Sequence, residues 1–197
     1  MIRPRLFTIE RTGPGRLSTM AAPAGGDALH DEMRALADAG IVMEVSLLTD
    51  AEDWELDLMD EEEAAATAGI SLVRLPTPDR GVPGVGATHG VARRVLHELG
   101  LGHGVAIHCR AGIGRASLLA ACVLSLEGMH PSEAWPLIST ARGVEVPDTD
   151  GQRAWVEKFA DHASASTSTG SNLAGLPRHE LRTAPSIDDL LADERDW

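Results

Sequence analysis

Apolar and polar positions along this chain switch repeatedly between two rhythms. Short apolar runs at residues 6–10, 17–20, 41–48, 70–75 and 105–108 predict strands. Between them, apolar residues fall three and four apart, as on one face of a helix. Leu29, Met33, Leu36, Ala37 and Gly40 form one such stripe, with Asp27 placed to cap it. Acidic helices follow through Ala68, and Val91, Val95, Leu96 and Leu99 make a further stripe that ends at Gly100. Three more helices are expected over 115–126, 131–141 and 149–162. Pro131 suits a first helical turn, whereas Pro136 is awkward inside that helix and is expected to kink it. Strands alternating with helices predict an α/β fold, a central and mostly parallel sheet flanked by helices on both faces. Ligands of such sheets sit beyond the strand C-termini.

One strand leads into chemistry. Val105-Ala106-Ile107 runs into His108-Cys109, then Arg110-Ala111-Gly112-Ile113-Gly114-Arg115, and a buried helix starts there. Amides at a helix start lack internal partners and face the positive end of the helix dipole, so they attract oxyanions. Glycines 112 and 114 let the loop bend until its amides point inward. Arg115 supplies a planar fork for two phosphate oxygens. In that positive field the Cys109 thiol is expected to fall from ~8.5 into the ~3.5–7.5 range of helix N-termini. His108 is expected to bond nearby backbone and orient the cysteine. The competing reading, a packed and inert core cysteine, explains neither the glycines nor the arginine.

His108-Cys109-x5-Arg115 with Gly112 and Gly114 resembles the signature of the cysteine-dependent protein tyrosine and dual-specificity phosphatases. Residues 6–10, Ala39-Gly40-Ile41, residues 45–49 and the Pro-rich loop 75–84 extend the likeness over roughly 1–162. They are similar to the compact dual-specificity group of cyclin-dependent-kinase-associated phosphatases and their bacterial relatives. The resemblance implies a phosphatase-like fold with Cys109 as nucleophile and Arg115 with loop residues 110–114 as phosphate cradle. It also implies that Asp79, thirty residues before Cys109 on the Pro-Gly-rich loop, is the general acid. By itself Pro78-Asp79-Arg80-Gly81 reads equally as a turn. The family also carries a late polar residue that orients water. Gln152 occupies such a place, although Thr149-Asp150-Gly151-Gln152 fits a capping box and the cap is preferred. One departure stands out. The family usually has Ser or Thr after the loop arginine, to help sulfur leave in the second step, and this chain has Ala116. Ser117 is rotated by about 100° on the helix and should not substitute.

Composition narrows the remaining choices. The 197 residues suggest a catalytic domain over 1–162 and a flexible, Ser/Thr-rich then acidic tail over 163–197. Within the tail, residues 186–193 could form a short amphipathic docking turn, although disorder is the preferred reading. The net charge of −13 argues against a nucleic-acid partner. No membrane span or signal segment is evident. Two cysteines and no disulfide framework fit a reducing cytoplasm, and Cys122 reads as core packing. Residues 50–63 hold nine acids and no bases, most simply a solvated helical face. Arg80, Arg110 and Arg142 are expected near the bound phosphate. Trp155 and Phe159, four apart, are expected to dock the last helix on the core. No cofactor or metal is implied.

These features point to a monomeric phosphomonoester hydrolase acting on a phosphorylated protein or peptide. Phosphoinositide or small-molecule hydrolysis is the alternative. A phosphate-binding module with little turnover and a rhodanese-type sulfurtransferase are the readings from other classes.

Overall fold

A computed structural model describes residues 4–170. The sheet has five strands in the order β1-β2-β5-β3-β4, namely β1 (Phe7–Thr8), β2 (Arg16–Ala21), β3 (Ile41–Ser46), β4 (Ser71–Arg74) and β5 (Gly104–Cys109). Only β1 runs antiparallel to its neighbour; the other pairings are parallel. β5 is central and buried throughout, as a strand with helices on both sides must be. Its register sets Ala21 of β2 opposite Cys109 and Ser46 of β3 opposite His108. The cysteine is therefore carried to the C-terminal edge, where parallel sheets bind ligands.

Two apolar cores lie on the two faces. One joins β5 to α4 (Val85–Gly100), α5 (Arg115–Leu126), α6 (Pro131–Arg142) and α7 (Asp150–Gly170). The other joins the sheet to α1 (Leu29–Asp38) and α3 (Glu61–Thr67). α5 is apolar all round and buried from Arg115 to Leu124, as its sequence requires. Each of its leucines is worth about 1.5–3 kcal/mol of burial, which anchors the loop in front of it. Trp155 and Phe159 stack with centroids 5.7 Å apart, and Phe159 is part of the first core.

Some local expectations differ from the structure. Asp27 sits in a 3₁₀ turn (Gly26–Ala28), and α1 begins after Ala28 with no side-chain cap. Pro136 lies inside α6, which runs from Pro131 to Arg142. α7 continues to Gly170, eight residues past His162 and into the Ser/Thr-rich stretch. Helical propagation adds one hydrogen bond per residue, so an established helix tolerates residues of modest propensity. The expected tail and the turn at 186–193 lie outside the described residues, apart from that helical backbone. No described helix is long and apolar enough to cross a membrane.

Candidate active site

β5 ends at Cys109, and the loop 110–114 turns back before α5 starts at Arg115. Gly112 has φ +69°, and a Cβ there would collide with the Met20 carbonyl of β2. Glycine is thus needed twice over at this position. A Cβ at Gly114 would collide with the Asp148 carboxylate. Among the described residues the amides of 111–114 donate to no acceptor. Without acceptors, they are available for the anion cup that the glycines lead one to expect.

Arg142 sets the direction of that cup. From the end of α6 its Nε donates to the Gly112 carbonyl at 2.9 Å and its Nη2 to the Ala111 carbonyl at 2.7 Å. Its guanidinium lies 3.8 Å from the Phe7 ring centroid. Held from outside by their oxygens, these peptides turn their amides inward. Two loop carbonyls and an aromatic face thus hold Arg142 in place. Arg110 pairs with Glu55, and Arg80 is exposed.

Arg115 crosses from α5 to three other segments. Its Nη1 and Nη2 meet the two oxygens of Glu52 at 2.7 Å each, an end-on bidentate pair. Nη1 also donates to the Thr77 carbonyl at 2.8 Å and the Leu47 carbonyl at 3.3 Å. Those contacts use the end and one side of the fork. On the Nε–Nη2 edge, Nε carries no hydrogen bond among the described residues and Nη2 keeps one N–H beyond its Glu52 contact, leaving two donors for an oxyanion. Asp79 Oδ1 approaches this edge, 3.4 Å from Nη2.

The Asp79 loop is a turn that lies against Arg115. Gly81 N donates to Pro78 O at 2.9 Å, and Arg80 between them has φ +58°. Thr77 is buried, its amide donating to Leu47 O and its carbonyl accepting from Arg115. From that anchored base Asp79 projects as an exposed carboxylate. Gln152 reaches the same loop. Its amide donates to Thr149 Oγ1 at 3.1 Å, so half of the expected capping box forms. Its side chain does not turn back; Nε2 donates to Gly81 O at 3.1 Å, while the buried Oε1 has no partner among the described residues. Gln152 thus ties α7 to the acid loop.

The His108 ring makes no hydrogen bond to backbone, contrary to expectation. It faces the α1–α3 side of the sheet, fully buried, with Nε2 3.1 Å from Glu61 and 3.7 Å from Glu44. Cys122 is buried too, and that burial pushes its thiol well above the usual range. Ala116 packs into the first core, and the buried Ser117 hydroxyl has no hydrogen-bond partner among the described residues.

The family model described as "Polymorphic toxin system, DSP-PTPase phosphatase" matches residues 18–129. That span holds the Asp79 loop, the cysteine loop and Arg115. The chain belongs to this dual-specificity phosphatase family. Cyclin-dependent kinase inhibitor 3 of Rattus norvegicus is 29% identical to the phosphatase over 108 residues, 54% of this chain and 51% of the relative. The Sus scrofa protein of that name is 28% identical over the same shares. The chain spans about half the length of these curated relatives. Kinase-associated phosphatase, solved with its catalytic-site cysteine changed to serine, superposes with a TM-score of 0.74 at 19% identity, covering 84% of this chain and 98% of the other. PTPMT1 in complex with PI(5)P gives 0.66 at 22% identity, covering 77% and 94%. At such identities the likeness establishes the fold.

The acidic stretch of the phosphatase is not simply a solvated face. α2 (Asp50–Glu55) starts with a capping box in which Thr49 and Glu52 bond each other's backbone amides. The side chain of Glu52 also holds Arg115, and the Arg115 hydrogen bond, outweighing burial, lowers its carboxyl to about 2. Asp53 and Glu61 are buried. The signal present in the sequence was Thr49-x-x-Glu52, a capping-box spacing lost within the charge run. The Asp148 carboxylate lies against Gly114.

Proposed function

We propose that this phosphatase hydrolyses phosphomonoesters on protein substrates through a cysteinyl-phosphate intermediate. Cys109 thiolate attacks phosphorus in line, while the 110–114 amides and the open edge of Arg115 hold the equatorial oxygens. Asp79 gives its proton to the leaving oxygen as the S–P bond forms and the P–O bond breaks. Asp79, now a base, takes a proton from water, which attacks phosphorus and releases Cys109. Gln152 Oε1, buried on the acid loop, serves to orient that water. Residues 1–162 are the catalytic unit in this reading.

The observation that carries it is the Arg115 fork. Four hydrogen bonds to Glu52, Thr77 and Leu47 fix the guanidinium, and the donors left over lie beside Asp79. A packed structural arginine would have no such edge. A protein substrate is favoured over a phosphoinositide because Arg110, the single cation within residues 110–114, is already paired with Glu55. A polyanionic headgroup would find no second free charge inside the loop. The names of the kinase-inhibitor and kinase-associated relatives point the same way.

The test is p-nitrophenyl phosphate hydrolysis, with and without chelator, followed by phosphopeptides set against phosphoinositides. Vanadate-sensitive turnover that vanishes in Cys109→Ser is expected. Turnover surviving that substitution, or thiosulfate:cyanide transfer in its place, overturns the chemistry. Preference for phosphoinositides overturns the substrate class.

A further inference from the structure

We propose that Glu44, Glu61 and His108 form a buried site for one first-row divalent cation, with Zn²⁺ as the best match, on the sheet face opposite α5. The inference uses no step of the proposed reaction. Glu44 and His108 project from the same face of adjacent strands, since Glu44 pairs with Ala106 and Ser46 with His108. Glu61 closes over them from the first turn of α3. Glu44 and His108 are wholly buried and Glu61 nearly so.

Buried carboxylates are normally paired or hydrogen-bonded. Here both oxygens of Glu44 and Oε1 of Glu61 have no hydrogen-bond partner among the described residues. His108 faces both carboxylates and even as an imidazolium balances only one of them, so the cluster still calls for positive charge. A dication supplies it.

The geometry fits. His108 Nε2 lies 3.1 Å from Glu61 Oε1 and 3.7 Å from Glu44 Oε1, and all three donor atoms lie within 4.8 Å of one another. Ligands at ~2.0–2.1 Å around tetrahedral zinc are separated by about 3.3–3.4 Å along each edge. The cluster needs only small side-chain shifts to close on a metal. One imidazole and two carboxylates are a donor set that zinc accepts.

Glu61 also lines a cleft of about 320 Å³ whose wall includes Asp50, Asp53, Glu62 and Arg74. Four acids against one base draw cations inward. Asp53 pairs with Arg74 through one oxygen, while its buried Oδ1 has no partner among the described residues.

Because the Cys109 thiolate could bind zinc by itself, the test uses full-length Cys109→Ser protein, stripped with chelator and titrated with Zn²⁺ and Co²⁺. One ion per chain is expected, with cobalt d–d bands typical of four N/O ligands and a rise in Tm. Glu44→Gln and Glu61→Gln should each weaken binding by at least about tenfold. Absence of saturable binding by Cys109→Ser protein overturns the proposal and marks the cluster as a shared-proton pair. Binding left unaltered by both glutamine variants also overturns it. If those variants fail to fold, Glu61→Asp keeps the charge and shortens the reach; it should shift the cobalt bands, and unchanged bands count against the site.

Discussion

Glu52 grips Arg115 through both carboxylate oxygens at 2.7 Å, while the same side chain caps α2 through the amide of Thr49. One residue thus links the start of a short helix to the arginine that faces the phosphate position. The pair is nearly enclosed, with Arg115 2% and Glu52 13% exposed. Glu52→Gln should keep the cap geometry but loosen the fork. A misplaced fork is expected to lower kcat/KM on the order of 10–100-fold. Stability should fall by about 1–3 kcal/mol, read from urea unfolding.

The same carboxylate predicts an acid-dependent stability. Its folded pKa, about 2, lies below the ordinary 4.5, so the unfolded chain binds the proton more readily. The Glu52 contribution is complete above about 4.5 and is lost as pH falls towards about 2. Unfolding curves of the parent and Glu52→Gln should converge across that window. A difference that persists unchanged to pH 2 contradicts the assignment.

Asp79 stands exposed beside Arg115 and is proposed as the acid. Asp79→Asn should slow aryl phosphate hydrolysis by roughly 10²–10⁴-fold, the usual range for general acids. The basic limb of the pH–rate profile should disappear with it. Persistence of that limb would assign the acid elsewhere, with Asp148 the first candidate to replace next.

Ala116 leaves the departing sulfur without a neighbouring hydroxyl, and Ser117 is buried elsewhere. Phosphoenzyme breakdown is expected to limit turnover. Stopped-flow assays with p-nitrophenyl phosphate should show a burst near one equivalent, and Ala116→Ser should raise the steady-state rate several-fold. A linear onset with unchanged turnover in Ala116→Ser removes the idea.

Arg142 holds two loop carbonyls from behind. Arg142→Ala frees both and should raise the vanadate inhibition constant on the order of tenfold, as two charge-assisted hydrogen bonds that orient the cup are lost. Arg142→Lys, a point charge without the planar fork, should recover only part of it.

Much of this was legible in the residues themselves. Helix and strand periods placed β3, β5, α5 and the C-terminal end of α4 closely, because burial on one or two faces leaves its spacing in the chain. The cysteine loop was readable because its constraints are local: a positive φ at Gly112, a helix start at Arg115 and a strand end at Cys109 lie within a few residues. Helix limits were less legible. Asp27 has capping chemistry, but the chain first makes a 3₁₀ turn there.

The amino-acid order alone determined the fold class, the loop that cups an anion, and the acid turn that precedes it. Each rests on dihedral preferences and periodicity that act over one or two turns of chain. Tertiary structure alone decided which of nine acids in 50–63 would meet Arg115, 63 residues away, and that His108 would face two glutamates. Charge pairing across such separations depends on how sheet and helices bring the segments together, and no local pattern records it.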